Sequence, residues 1–131
     1  MSEYIKHDCK SIRSQEILLA ALAELGWAGK VEVHDKPVTL CGYHGDARQE
    51  KAEIVIRRNN TGISSSNDIG FAKQADGTYQ PIVSQYDQTL SGFGKRGQQP
   101  LAKTVEDTYG VIAGNRAVDT LLKKTIPGMK L

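Results

Sequence analysis

The chain has 131 residues, 39% of them hydrophobic and 24% charged, which suits one globular domain with a single core. Seventeen basic against fifteen acidic residues leave a net charge of +2, so no overall field calls for nucleic acid or an anionic membrane. No apolar run nears the ~18 residues of a spanning helix, and the charges scattered through 1–13 predict no secretory leader.

Segment 2–10 predicts a first strand, with Tyr4, Lys6 and Asp8 on one face and Ile5, His7 and Cys9 on the other. Residues 14–25 predict a helix. Ser14 is placed to cap it, Ile17, Leu18, Ala21, Leu22 and Leu25 form its apolar stripe, and Gly26 ends it. Val31 and Val33 alternate with Glu32, Pro37 interrupts, and 38–43 resumes the β pattern. Residues 51–58 predict a strand with Ile54 and Ile56 on one face and Glu53, Val55 and Arg57 on the other. A polar loop at 59–66 leads to a strand at 68–73. Asp76-Gly77 then predicts a hairpin turn into a strand at 78–84. Pro81 in that last strand has no amide hydrogen, which predicts an edge or a bulge.

Residues 91–99 (SGFGKRGQQ) read as a flexible, basic, glycine-rich loop. Pro100 opens a second helix, with Leu101, Val105, Tyr109 and Ile112 as its stripe, and Val118, Leu121 and Leu122 are expected to continue it. Residues 126–131 form a C-terminal tail. The expected fold is α+β: one domain over 1–131, an antiparallel sheet of about five or six strands, and two helices on one face. The other face carries Val55 and Ile82, which are expected to be covered in part by a partner or a second copy.

The opening MSEYIKHDCKSIRSQEILLAALAELGW, the KAEIVIRR strand, the NDIGF strand and the GTYQPIVSQYDQ stretch resemble an uncharacterised family. It is the hypothetical chloroplast open-reading-frame family numbered thirty-five, also known as a bacterial domain of unknown function. The most specific piece is Asp68-Ile69-Gly70-Phe71 followed by the Tyr79 strand. Near the end of that strand, where the family carries an acidic residue and a tryptophan, this chain has Ser84 and Asp87. The resemblance implies kinship with cyanobacterial, plastid and phage proteins and a cytoplasmic or stroma-like location. It implies no activity. As partner it points to an AAA-type ATPase.

Four kinds of chemistry are open to these residues. His7-x-Cys9 and Cys41-x-x-His44 together make a Cys₂His₂ set that could suit zinc or a thiol site, but the spacing matches no standard finger, so two buried apolar cysteines and two surface histidines are the favoured reading and no metal is assigned. Lys95 and Arg96 in the glycine-rich loop, with Lys123 and Lys124 on the last helix, suit an anion or a nucleic acid. Tyr79, Pro81, Tyr86 and Phe93 suit a protein partner at a strand edge, which includes a second copy of the chain. For catalysis, Asp8, Asp46, Asp68 and Asp87 with His7, His34 and His44 allow many pairs, but no spacing selects one. There is no nucleophile elbow, HExxH or phosphate-binding loop, so no catalytic residue and no cofactor is assigned. The expected function is a non-enzymatic interaction or regulatory module within a larger assembly.

Overall fold

The computed structural model describes residues 3–62, 66–85, 87 and 100–125. Five strands form one sheet: β1 (Tyr4–Lys6), β2 (Glu32–Cys41), β3 (Ala47–Ile56), β4 (Ile69–Lys73) and β5 (Tyr79–Ser84). Their order is β1-β5-β4-β3-β2, with every neighbouring pair antiparallel. Two helices, α1 (Gln15–Leu22) and α2 (Leu101–Thr125), complete the α+β fold.

Local chemistry explains the elements. Ser14 is extended and its hydroxyl accepts the Ile17 amide, so one free amide of the first turn is satisfied and α1 starts there. The helix widens through Ala23–Trp27 and stops where Gly26 takes φ 106°, a conformation that a side chain would strain. Pro37 does not end β2. Between Val33 and Val38 the strand uses five residues where β3 uses two, and the proline rides on that bulge. An edge strand tolerates this because its outer amides serve no ladder. The Asp76-Gly77 turn is closed by Thr78, whose amide and hydroxyl both donate to Asp76 Oδ1.

One face of the sheet meets the helices. Ile54, Ile56, Ile69, Phe71, Tyr79 and Val83 pack there against Leu18, Leu22, Trp27, Leu101, Val105 and Tyr109. Burying such side chains stabilises the fold by about 1.5–3 kcal/mol each. The opposite face holds a second, smaller cluster of Leu40, Ala52, Val55 and Ile82, flanked by Tyr4, Val38 and Ala72. Val55 and Ile82 are therefore covered by the chain itself, and the expectation that a partner covers them is corrected. The β2–β3 hairpin supplies Leu40 and Ala52, and β1 supplies Tyr4, a curl that alternation along single strands does not disclose.

The edge placement of β5 is also corrected. It lies between β1 and β4. Pro81 is accommodated because β1 ends at Lys6. The next residue, His7, donates to the Pro81 carbonyl at 2.9 Å, and no amide is needed in return. Tyr79 is buried, its amide bonded to the Ile12 carbonyl and its hydroxyl to Gln15 Oε1.

Candidate functional site

Three places outside the apolar core concentrate chemistry. The first is the buried carboxylate of Asp68 at the head of β4. Its Oδ2 accepts from the Cys41 amide and from Arg57 Nη1, both at 2.8 Å, and its Oδ1 accepts the Arg58 amide at 2.7 Å. Its carbonyl accepts the Tyr4 hydroxyl at 2.6 Å. Arg57 continues the network to Glu32 and to the Thr39 carbonyl, and Glu32 meets His34 at 2.8 Å. Burial pushes the Tyr4 hydroxyl far above its ordinary range, and the nearby Asp68 and Asp87 charges add to this, so Tyr4 stays a neutral donor. Asp68, at the head of β4, thus ties β1, β2 and the residues that follow β3 together, and both its carboxylate oxygens are engaged by structural donors.

Beside it, Asp87 is buried and accepts the Asn67 amide at 3.0 Å. Ser84 Oγ accepts from Asn67 Nδ2 and from the Asp87 amide, and Asn67 Oδ1 accepts the Tyr43 amide. Asp87 Oδ1 has no hydrogen-bond partner among the described residues. Burial pushes this carboxyl above its usual range, against the pull of the Asn67 and Ser84 hydrogen bonds. Ser84 and Asp87, at which the sequence departs from the resembled family, therefore share one buried network.

The second place is the seam between residues 9–14 and α2. The Cys9 thiol donates to Glu106 Oε2 at 2.9 Å, and the Ser11 hydroxyl donates to the same oxygen at 3.1 Å. The Arg13 and Ser14 amides both donate to the Tyr109 hydroxyl. Hydrogen bonding from Cys9, then from Ser11, holds Glu106 below the ordinary carboxylate range against the cost of burial. A shallow cleft of about 190 Å³ opens here, lined by His7, Asp8, Cys9, Pro81, Lys103 and Glu106 among others. The contacts latch α2 to the chain that precedes α1.

The zinc set does not assemble. Cys9 follows β1 at one edge of the sheet, whereas Cys41 ends β2 at the other edge. His44 stands edge-on to the Tyr43 ring, with centroids 4.8 Å apart. Both cysteines are free thiols. Among the described residues no group of three or more His, Cys, Asp or Glu side chains is placed to hold a metal.

The third place is the outer side of α2. Leu101, Val105 and Tyr109 are buried and Ile112 packs beside them, as their spacing predicts. Val118 and Leu121 do not continue that stripe. They are 54% and 63% exposed, and Val111 is 64% exposed. At ~100° per residue, Val111, Gly114, Val118 and Leu121 form a second stripe roughly opposite the first. A helical wheel separates the two. Length decides which part of α2 is covered: α1 with its widened end, residues 15–25, spans about 16 Å, against about 37 Å for the 25 residues of α2. The distal half of α2 thus runs past its neighbour, with Arg116–Glu16 at 2.9 Å as a contact between them.

The remaining sequence-predicted site residues fall as follows. Tyr79 and Pro81 are buried inside the sheet layer and offer no free edge. Tyr86, Phe93, Lys95 and Arg96 lie outside the described residues. Lys123 and Lys124 occupy the last turn of α2, with side chains outside the description. No helix among the described residues is long and apolar enough to cross a membrane. No curated protein and no solved structure matches the chain. A family model does match, over residues 21–121, a span that takes in all five strands but β1, Asp68 with its carboxylate partners, and the outward stripe of α2. The chain therefore belongs to the family described as protein of unknown function, DUF1257.

Proposed function

We propose that this protein is a non-catalytic interaction module whose docking element is the distal half of α2. One observation carries the reading: three large apolar side chains, Val111, Val118 and Leu121, are more than half exposed along the solvent side of one helix. A surface helix normally turns a polar face to water, and an apolar stripe there is costly unless something covers it. The polar networks support the same reading. Asp68 and Glu106 are occupied by amides, an arginine, a thiol and a hydroxyl that hold elements together. Kinship with the plastid and cyanobacterial open-reading-frame group thirty-five belongs to the same proposal, as does a cytoplasmic or stroma-like location. Both rest on the quoted motifs. The partners proposed are a second copy of the chain and an AAA-type ATPase.

The test replaces Val118 with Asp and immobilises both proteins. The parent is expected to retain a protein that the variant loses, with equal circular dichroism for the two baits. Equal retention on both would refute the assignment of α2 as the docking element.

A further inference from the structure

We infer that the outward stripe of α2 pairs with the same stripe of a second copy, antiparallel, about a two-fold axis near Arg116. This rests on the reading of α2 as a docking element and names its occupant. The stripe has the spacing of a coiled-coil seam. Val111, Gly114, Val118 and Leu121 are separated by three, four and three residues, with Asp107 and Thr125 as the next members at each end. Such a seam is complementary to another helix of similar pattern, and a second copy supplies one by definition.

Shape selects the register. A Cβ on Gly114 would meet nothing within 4 Å, so the glycine leaves a notch in the outer surface of the helix. In an antiparallel pair centred near Arg116, Val118 of each copy enters the Gly114 notch of the other, and Val111 lies against Leu121. Four apolar contacts close around one axis, with large side chains set against small ones.

Charge selects the direction. Asp107 is half-exposed near the proximal end of the stripe, where it pairs with Lys103 at 3.1 Å, and position 124, a lysine, flanks the distal end in sequence. Antiparallel pairing sets position 107 of one copy beside position 124 of the other, opposite in sign. Parallel pairing sets 107 against 107 and 124 against 124, like against like. The flanking positions between them, Gly110, Asn115 and Ala117, carry no charge to oppose either arrangement. Arg116 faces the other way, toward Glu16 of its own α1.

Sedimentation of the full chain across roughly 10–500 µM, the range that fills a micromolar helix pair, is the first arm of the test. The parent is expected to shift from monomer to dimer mass. Val118→Asp should stay monomeric, and Gly114→Ala should dimerise at least tenfold more weakly. The alanine fills the notch yet is tolerated by the isolated helix, so its effect is not one of misfolding. The second arm mixes Val111→Cys with Leu121→Cys under mild oxidation and identifies linked peptides by mass spectrometry. A 111–121 link supports the register; dominance of 111–111 links overturns it. A parent that remains monomeric throughout overturns self-pairing. In that case retention of a different protein, lost on Val118→Asp, leaves the docking element standing, whereas equal retention removes both readings.

Discussion

Gly70 sits where β4 passes beneath the β2–β3 hairpin. A Cβ built on it would lie 2.8 Å from Ala52 Cβ and 2.9 Å from Leu40 Cδ1. The leucine can shift, but the Ala52 methyl is fixed to its backbone. Gly70→Ala should therefore overpack the second cluster and cost about 1–3 kcal/mol, read as a lower urea midpoint. A neutral result would mean that the hairpin does not close over the sheet. This accounts for the glycine in the Asp68-Ile69-Gly70-Phe71 motif, while Asp68 itself joins the head of β4 to β1, to β2 and to Arg57 just after β3. Asp87 gives a pH-dependent prediction. Its carboxyl is pushed above the ordinary value by burial, so the folded state favours the protonated form. That contribution is complete below the unfolded value of 3.8 and is lost as pH rises through the raised folded value. Asp87→Asn stays neutral throughout. The stability of the variant minus that of the parent should thus rise with pH, by about 1.4 kcal/mol per unit of upward shift, when denaturation is compared between about pH 3 and pH 7. A difference that is flat with pH would show that Asp87 is ionised in the fold at no cost.

Among the elements, α1 is almost completely legible in its own residues. Its cap at Ser14, its stripe and its stop at Gly26 all depend on neighbours within a turn or so, and the structure places each as expected. Ser14→Ala should lower global stability by about 1 kcal/mol, because the Ile17 amide loses its acceptor. An unchanged melting temperature would assign the start of α1 to the Tyr109 hydroxyl, which takes the Arg13 and Ser14 amides. The strands were read less well. Residues 51–58 were expected and Ala47–Ile56 is observed, because Ala47 and Lys51 pair with Cys41 and Thr39 across the hairpin although their own sequence is polar. In α2 linear spacing puts all the apolar residues on one stripe, and the structure divides them. Leu101, Val105 and Tyr109 are held by the core, whereas Val111, Val118 and Leu121 face away from it.

At the scale of the whole molecule, one sheet is packed on both faces by its own chain, with helices on one side and a curled hairpin with Tyr4 on the other. Among the described residues, the large apolar side chains that are more than half exposed lie neither on the second sheet face nor on β5, but on the part of α2 that outruns α1. The separation of Cys9 and Cys41 at opposite edges of the sheet yields one further expectation. Treatment with a strong chelator should leave the melting temperature unchanged, since among the described residues no group of three or more His, Cys, Asp or Glu is placed to hold a metal; a fall in melting temperature would show that a metal is bound. Periodicity, capping and turn chemistry determined the fold class, both helices and the Asp76-Gly77 hairpin, because each acts between residues close in the chain. Strand order, the burial of Val55 and Ile82 and the interior place of β5 were decided only in three dimensions. So was the face that α2 turns to water. All of these depend on contacts between residues far apart in sequence, and on one helix being more than twice as long as the helix it packs against.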